Sequence, residues 1–556
     1  MTTDYSPINS EVLVFIGAGA TASLGMPTSD TQTKIFRNLC EEKKTKEEIL
    51  SEHFSGSDLK KTISFLELLD GDGINFFEVS EKDLDNARII YGNHEVTLLR
   101  KRTLELRSEY DWNAAKEILK ICPYNHNNDN LIRDAYSIID KKLLTHQSLK
   151  VYTNGEEVIL SESRLLGARN FLTLFINMLF ASVWNKITTE EEKAESFCIY
   201  KRFINSFDIL MQKEAHDFHR KYSPKNREFY LFTTSFVSFN FEMFFPWILM
   251  NSHYELNHRK SYIEDRPLKL WLDFGCEHRG RKTDNDGNLV STLEFTEAVA
   301  SRENEDEHNG SEINRCGKFY FAHGSSNWRE CPVCGRMTFY NGDSKLKWQY
   351  KSKQLIPPFP IPLFENEKLT ELTKKEKEWR EKNLEFDALQ CMHCGSKTLA
   401  SNAPMIMQTM YKSTPTSFLE EIQRNVKASI EKARHIILLG YSLPVDDTIW
   451  QQAFAEGVRS RIETNQKTYC TVVVGHKGEK KWIYSDELDS YISRYKNADA
   501  AYGVSAIENA IAIFEKKNVR AWTGGIPQVF GNGTESDVKE LFYPDFIIWN
   551  GTRLEK

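Results

Sequence analysis

The sequence predicts an α/β fold built on a doubly wound, mostly parallel sheet of Rossmann-like type. The first observation is a set of short, continuous apolar runs typical of strands buried on both faces: 11–16, 235–239, 269–273, 318–322, 435–439, 471–474 and 519–523. The second is that helical patterns separate the later runs, as in a parallel sheet. The third is a glycine-rich segment, 17–21, directly after the first run.

Composition restricts the class of protein. The formal charge of −7 argues against a general nucleic-acid or membrane-surface binder, and the hydrophobic content of 40% argues against wholesale disorder. The longest apolar stretch, 171–184, contains Asn177, and we expect it to be too short to span a bilayer. The first ten residues lack the basic region of a signal peptide. We therefore expect a soluble cytoplasmic protein with reduced thiols.

The chain divides into three predicted segments. Residues 1–40 hold the first strand and the glycine-rich segment, and 227–556 hold the rest of the same domain. Between them, 41–226 is dominated by charged, helix-favouring sequence. We predict a helical insertion there, with a regulatory or oligomer-forming role. Two polar stretches, 277–317 and 365–385, are predicted to be an exposed loop and an exposed helix.

Two later helices have sequence patterns that predict where they begin. Ser417-x-x-Glu420 and Ser505-x-x-Glu508 both match the capping box, in which two side chains satisfy free N–H groups at a helix start. Behind the first box, apolar residues recur on one helical stripe: Ile422, Val426 and Ile430.

Two C-x-x-C pairs, each followed by a glycine, are the most specific motif in the chain: Cys331 with Cys334, and Cys391 with Cys394. Each hairpin holds two thiolates on one side of a tight turn, and two hairpins can close a tetrahedral Zn²⁺ site. Four thiolate ligands leave no open coordination position, so the zinc would be structural. The prediction is a small zinc-ribbon module at about 316–402, with an insertion between the hairpins.

The glycine-rich segment, Gly-Ala-Gly-Ala-Thr at 17–21, is a candidate phosphate cradle. Glycines let a backbone approach a diphosphate closely, and a following helix start offers N–H groups. The pattern also fits the relaxed dehydrogenase fingerprint, which needs an acidic residue at the end of a second strand about twenty residues later. Residues 35–44 have helical and charged character instead, which disfavours a hydride-transfer enzyme.

Small or polar residues also follow the other predicted strands. In open α/β sheets, ligands bind beyond the carboxyl ends of the strands. The strand ends therefore predict a single crevice, lined by residues that follow five different strands: 17–21, 238–242, 323, 440–443 and 475–476.

Taken together, these motifs resemble the sirtuin family of NAD⁺-consuming enzymes, and they occur in the order of that family. The segment 17–21, followed by Gly-Met-Pro at 25–27, looks like the family's cofactor loop. Ser-Phe-Asn-Phe-Glu at 238–242 is similar to its Thr-Gln-Asn-Ile-Asp segment, and His-Gly-Ser at 323–325 to the motif of its catalytic histidine. Gly-Tyr-Ser-Leu at 440–443 resembles its ribose-contacting turn, and the cysteine hairpins resemble its zinc ribbon.

The resemblance implies that Asn240 and His323 are the catalytic pair. Cleavage of the nicotinamide–ribose bond expels a neutral group from a cationic one through an oxocarbenium-like transition state, so no general acid is needed. An asparagine amide can position water or a ribose hydroxyl, and a histidine can accept the proton. A histidine at a strand end is more often structural, but the place of His323 in His-Gly-Ser, eight residues before a cysteine hairpin, favours a functional role. Without the family, Asn240 would be read as a helix cap. The implied NAD⁺-binding residues are Gly17, Ala18, Gly19, Ala20, Thr21, Pro27, Ser238, Glu242, Gly440, Ser442, Leu443 and Gly475.

The sequence departs from protein-deacylating sirtuins in the elements that bind acyl-lysine. Thr-Ser-Asp at 28–30 stands where those enzymes have Asp-Phe-Arg, and 404–409 lacks the Phe-Gly-Glu segment that holds their peptide substrate. Gly475-His476 also replaces the usual asparagine near the adenosine. The pattern is similar to bacterial sirtuin-like effectors of antiphage defence, which hydrolyse NAD⁺. Gly-Tyr-Ser-Leu-Pro at 440–444 is typical of that branch.

We therefore expect an NAD⁺ glycohydrolase that yields ADP-ribose and nicotinamide and acts in abortive infection by depleting NAD⁺. One alternative is a protein deacylase or ADP-ribosyltransferase that uses the same crevice. Another is a non-enzymatic sensor of NAD⁺ or ADP-ribose. The resemblance also implies a HerA-type hexameric ATPase or a phage-derived trigger as partner, and a homo-oligomer. We expect neither membrane association nor direct nucleic-acid binding.

Overall fold

The computed structural model describes the chain in segments: residues 11–70, 107–122, 131–153, 155–190, 195–221, 234–258, 268–276, 278–283, 289–295, 313–339, 389–407, 409, 416–444, 447–475, 477, 479–497 and 503–544. Its strands are, in chain order, β1 Val12–Ile16, β2 Leu149–Thr153, β3 Glu156–Leu160, β4 Thr234–Ser238, β5 Leu268–Asp273, β6 His278–Thr283, β7 Leu289–Phe295, β8 Ile313–Phe321, β9 Trp328–Glu330, β10 Met337–Phe339, β11 Leu389–Gln390, β12 Lys397–Thr398, β13 His435–Leu439, β14 Tyr469–Val473, β15 Trp482–Ile483 and β16 Val519–Trp522.

The α-helices are, in the same order, α1 Ser29–Glu41, α2 Lys46–Leu50, α3 Gly56–Asp70, α4 Trp112–Ile121, α5 Leu131–Leu144, α6 Glu162–Glu190, α7 Glu195–Lys221, α8 Phe244–His258, α9 Ser417–Lys432, α10 Thr448–Glu463, α11 Leu488–Tyr495, α12 Val504–Phe514 and α13 Glu535–Phe542. Short 3₁₀ turns occupy Ala18–Ala20, Ala22–Leu24, Ala400–Asn402, Lys516–Asn518 and Gln528–Phe530.

The main sheet has eight strands in the order β15-β16-β14-β13-β1-β4-β8-β5. All neighbouring strands pair in parallel except β15, which runs antiparallel to β16 at one edge. After β1 the chain adds β4 and β8 on one side of that strand. It then crosses to the other side and adds β13, β14 and β16. The direction of strand addition therefore reverses between β1 and β13.

Helices cover both faces of this sheet. Val14 of β1 pairs in register with Phe236 of β4, so Phe15 and Phe236 point to opposite faces because successive side chains alternate. Phe15 packs against Phe454 of α10, with ring centroids 4.7 Å apart. Phe236 packs against Phe207 of α7, at 5.6 Å. Burial on both faces explains why β1 is apolar throughout instead of alternating.

The predicted α/β architecture with a mostly parallel sheet is confirmed, and all seven predicted strands lie in that sheet within a few residues of their expected bounds. The expectation of an exposed loop at 277–317 is wrong in part. There, β6 and β7 form an antiparallel pair, and β8 begins at Ile313. The predicted helix at 365–385 lies outside the described residues.

The two predicted capping boxes are also wrong, although both helices exist. Helix α9 is preceded by Thr416 and α12 by Gly503, and neither of these described residues caps its helix through a side chain. The capping boxes among the described residues are at Thr45 with Glu48 and at Thr534 with Asp537. The stripe behind the first predicted box is buried as expected, at Ile422, Val426 and Ile430.

The described part of 41–226 is mainly helical and also contains the antiparallel hairpin β2–β3. Its longest helix, α6, runs well beyond the apolar stretch 171–184. Within α6 the segment Glu162–Trp184 is long and apolar enough to cross a membrane by length and composition, but 83% of its most apolar window is buried inside the protein. Among the described residues no second helix passes the same test. Burial of this kind is typical of the core helix of a globular protein.

Candidate functional site

The carboxyl ends of five neighbouring strands bring the predicted site residues to one edge of the main sheet. The segment 17–21 follows β1, Asn240 follows β4, His323 follows β8, Gly440 follows β13 and Gly475 follows β14. Because all five strands are parallel, these residues share an edge. This edge lies at the reversal between β1 and β13, where open α/β sheets bind ligands. His476 lies outside the described residues.

The glycine-rich segment packs closely on the turn after β13. Gly17 donates its N–H to the Leu439 carbonyl at 3.0 Å, and Gly19 donates to the Gly440 carbonyl at 3.1 Å. A Cβ added to Gly17 would lie 2.5 Å from the Gly440 oxygen. The glycines at 17 and 440 are therefore required by the contact between two loops. Two 3₁₀ turns follow, and the first α-helix, α1, begins only at Ser29.

Asn240 is held by three protein groups. Its Nδ2 donates to the Gly17 carbonyl at 3.0 Å and to Oε1 of Glu242 at 2.9 Å, and lies 3.4 Å from Oγ1 of Thr21. Its backbone N–H donates to Oγ of Ser238 at 3.1 Å. No described residue donates to its Oδ1. The amide therefore presents its oxygen, an acceptor, to any group that enters the site.

Glu242 joins Asn240 to the glycine-rich segment. Its Oε1 also accepts the Thr21 hydroxyl hydrogen, at 2.9 Å. Burial raises the pKa of the Glu242 carboxyl to about 7, although hydrogen bonds from its own backbone, Thr21 and Asn240 oppose the shift. The sequence predicted Thr21, Ser238, Asn240 and Glu242 separately, and the structure brings them into one hydrogen-bonded group.

His323 follows β8, the neighbour of the strand that precedes Asn240, β4. Its ring packs on Phe239, with centroids 4.7 Å apart, and its Nε2 is 4.0 Å from Oδ1 of Asp447. Its backbone carbonyl accepts the Ile406 N–H at 2.9 Å. The loop after His323 is fastened to the Asn240 segment, since Ser325 donates its hydroxyl hydrogen to the Phe241 carbonyl at 2.9 Å.

Asp447 and Tyr441 complete the surroundings of His323. Tyr441 lies in the predicted turn at 440–443, whereas the sequence analysis did not single out Asp447. Tyr441 donates its hydroxyl hydrogen to Oδ2 of Asp447 at 2.9 Å, and its ring lies 4.4 Å from that of Phe239. Asp447 immediately precedes helix α10. An aspartate at such a position is ordinarily a helix cap, so the sequence signal was present but pointed to another role.

The other predicted NAD⁺-binding residues have mixed environments. Pro27 is buried, whereas Ala18, Gly19 and Ser442 are exposed. Leu443 is buried with a positive φ of 50°, and its carbonyl accepts a hydrogen bond from Asn509 at 3.0 Å.

The four cysteines of the two hairpins form one cluster. Their sulfur atoms all lie within 4.8 Å of one another. Sγ of Cys331 is 3.5 Å from that of Cys394, and Sγ of Cys334 is 3.8 Å from that of Cys391. A tetrahedron with Zn–S bonds of about 2.3 Å has edges of about 3.8 Å, so the cluster fits a structural zinc.

The turns around this cluster have the shape that metal hairpins need. Gly335 and Gly395 follow the two pairs with positive φ values of 66° and 77°. Each donates its N–H to the carbonyl of the first cysteine of its pair, at 2.9 Å. The backbone N–H groups of Val333 and His393 also point at the first sulfur of each pair, at 3.4 Å. Such donors stabilise thiolates.

Comparison with known proteins adds no family assignment. No protein-family model matches this chain, and none of the curated proteins compared with it matches it either.

Proposed function

We propose that the protein is an NAD⁺ glycohydrolase of sirtuin-like type. A water oxygen bonds to the anomeric carbon of the nicotinamide ribose while the bond from that carbon to the pyridinium nitrogen breaks. The bonding electron pair goes to the nitrogen, and neutral nicotinamide leaves. His323 takes the proton that the water gives up and passes it to solvent. NAD⁺ and water thus yield ADP-ribose, nicotinamide and a proton.

The observation that supports this proposal best is that Asn240 and His323 follow the carboxyl ends of two adjacent strands, β4 and β8. Ser238 of β4 and Phe321 of β8 are paired in register, and the two candidate residues each lie two positions further along. Neighbouring strands are about 4.8 Å apart, so both residues project from one short stretch of the sheet edge. Each is only 7% exposed, which would keep bulk water away from the reacting groups.

The contacts of Asn240 support a role in holding the nucleophile. Gly17 and Glu242 accept from its Nδ2, so the oxygen remains to accept from a water or a ribose hydroxyl. An acceptor at this point would orient the O–H group without itself titrating. His323, on the next strand end, would then act as the general base, a role that contributes about 10²–10⁴ in rate.

The topology supports a Rossmann-like mode of dinucleotide binding. The reversal between β1 and β13 lies beside Gly17 and Gly440, where such sheets bind nucleotides. The amides of Gly17, Gly19, Ala20 and Thr21 already donate to backbone carbonyls. We therefore propose that the loop contacts NAD⁺ mainly through its exposed surface at Ala18 and Gly19. The cysteine cluster would hold Zn²⁺ as a structural ion.

The experiment is to incubate the purified full-length protein with NAD⁺, with and without an acetylated peptide, and to measure nicotinamide. Release without peptide, reduced about 10²–10⁴-fold in His323→Ala and strongly in Asn240→Ala, would support hydrolysis. His146→Ala, at an exposed histidine, and Asn113→Ala, in α4, are matched controls. Release only with peptide would instead indicate a deacylase. Binding without release, both in vitro and in cells, would indicate a sensor.

Abortive antiphage defence is the proposed context, because uncontrolled NAD⁺ hydrolysis would be toxic to the cell. We propose that the helical segment 41–226 restrains the enzyme or builds a homo-oligomer, and that a HerA-type ATPase or a phage component releases it. NAD⁺ content in cells that express the protein, measured with and without phage challenge, tests this. A fall on challenge that is absent in His323→Ala cells is the expected result.

A further inference from the structure

A second carboxylate lies beside the candidate general base. Oδ1 of Asp447 is 4.0 Å from Nε2 of His323, and its other oxygen accepts the Tyr441 hydroxyl hydrogen at 2.9 Å. The Asp447 side chain is buried. The carboxylate is therefore held with one oxygen on a tyrosine and the other turned towards the imidazole.

This arrangement differs from the usual role of an aspartate at a helix start. Asp447 is the residue before α10, where an aspartate side chain ordinarily accepts from the free N–H groups of the first turn. Among the described residues its side chain makes no such bond. The backbone carbonyl of Asp447 instead accepts hydrogen bonds from the N–H groups of Trp450, at 3.0 Å, and Gln451, at 3.1 Å. Burial of a carboxylate is costly, so a buried aspartate that does not cap its helix calls for another role.

We propose that Asp447 is a positioning residue for His323, and this inference rests on the proposed NAD⁺ hydrolysis. When His323 accepts the proton of the attacking water, its ring becomes a cation. The buried carboxylate stabilises that cation by charge at 4.0 Å, and screening is weak there because water is largely excluded. Tyr441 fixes the carboxylate, and the Phe239 ring, packed against both His323 and Tyr441, fixes the imidazole.

The decisive variant is Asp447→Asn, which removes the charge but keeps an oxygen for the Tyr441 hydroxyl. We expect kcat for nicotinamide release to fall about 10- to 100-fold while KM for NAD⁺ changes less than about threefold. Asp447→Glu, which restores the charge, should recover part of the loss. Asp489→Asn is the control, because it neutralises an exposed aspartate in the first turn of another helix, α11, outside both the candidate site and the helical segment. Its kcat should equal that of the wild type.

A double variant separates positioning from independent action. If Asp447 acts through His323, adding Asp447→Asn to His323→Ala should cause no further loss of kcat. A further loss as large as that of Asp447→Asn alone would overturn the inference, and so would wild-type kcat in Asp447→Asn. If Asp447→Asn does not fold, Tyr441→Phe is measured instead, because it removes the hydroxyl that holds the Asp447 carboxylate. A reduced kcat supports the inference, and an unchanged kcat overturns it.

The wild-type assay distinguishes the two proposals. It is run first, with purified protein and with phage-challenged cells. A wild-type protein that hydrolyses no NAD⁺ in either setting contradicts the proposed function, and therefore also the role proposed for Asp447. An active wild type with an equally active Asp447→Asn variant contradicts the role of Asp447 alone.

Discussion

Tyr200 of helix α7 donates its phenolic hydrogen to the backbone carbonyl of Ala20 in the glycine-rich segment. Its hydroxyl also lies 3.4 Å from Oγ of Ser23. Burial raises the pKa of Tyr200, so the hydroxyl keeps its proton and remains a donor. The helical segment 41–226 therefore touches the candidate NAD⁺ loop directly. A displacement of α7 would therefore act on that loop directly, through the Tyr200–Ala20 hydrogen bond.

Tyr200→Phe tests this contact. The change removes the hydroxyl and leaves the ring in its aromatic surroundings. A hydrogen bond of about 1 kcal/mol corresponds to roughly a fivefold change in an equilibrium, so we expect KM for NAD⁺ to rise several-fold while kcat changes little. Initial rates of nicotinamide release at increasing NAD⁺ concentrations measure both constants.

The control for this variant lies in the same helix. Ser206→Ala removes a hydroxyl that donates to the Gly533 carbonyl at 2.6 Å. This change should leave KM at the wild-type value. Equal KM values in Tyr200→Phe, Ser206→Ala and wild type would mean that the loop does not depend on α7.

Gly440→Ala should damage the site far more than Gly25→Ala. Both glycines have positive φ, 63° and 85°, so both substitutions carry backbone strain of about 1–2 kcal/mol. Only at position 440 would the new Cβ also clash with backbone, 2.2 Å from the Ala20 nitrogen, whereas nothing lies within 4 Å at position 25. We expect a much larger fall in the thermal midpoint, and weaker NAD⁺ binding, for Gly440→Ala. Equal midpoints would contradict the tight packing of the two loops.

The strands of the main sheet could be predicted because burial on both faces leaves a local signal. A run such as 435–439 is apolar throughout, and β13 has those same bounds. The edge strand β15, of two residues, gives no such signal. The capping boxes failed for a related reason. A Ser-x-x-Glu pattern does not fix the residue at which a helix begins. Helix α9 begins at Ser417 itself, one residue earlier than a cap at Ser417 would require, so Thr416 is the residue that precedes it.

The sequence located residues of the candidate site but not the contacts between them. Asn240 and His323 could be placed at strand ends, which is a local property. Asp447 approaches His323 through tertiary packing: the turn after β13 packs on the ends of β1 and β4, where Gly19 donates to the Gly440 carbonyl and the Tyr441 ring packs on Phe239. Tyr200 is 180 residues from Ala20 in the chain, and no pattern around it indicates the contact.

Glu242 should make the folded protein less stable as the pH rises from about 4.5 to about 7. Its folded-state pKa is raised to about 7 from an ordinary value of 4.5, mainly by burial. Between those values the folded protein keeps a proton that the unfolded chain releases, so a higher pH favours unfolding. The contribution is at most about 3 kcal/mol, and it is lost fully once the pH exceeds the folded pKa.

Glu242→Gln isolates this effect because the glutamine oxygen can still accept from Thr21 and Asn240 but cannot ionise. Thermal midpoints at pH 5 and pH 8 should differ less in this variant than in the wild type. Glu456→Gln, at an exposed glutamate of α10, should keep the wild-type difference. A wild-type pH dependence in Glu242→Gln would show that another group is responsible.

Zinc removal should destabilise the protein without removing a catalytic ion. We expect one zinc per chain in metal analysis of the purified wild type, because the four sulfur atoms fit a tetrahedral site with no open position. Cys331→Ser should lose the zinc and lower the thermal midpoint, since a bound structural metal contributes its binding free energy to folding. Cys198→Ser, in α7 and outside the cluster, should keep the zinc and the wild-type thermal midpoint.

The Cys331→Ser protein that remains folded should retain kcat for nicotinamide release. A folded fraction with full zinc loss and no turnover would instead mean that the ion acts in the reaction.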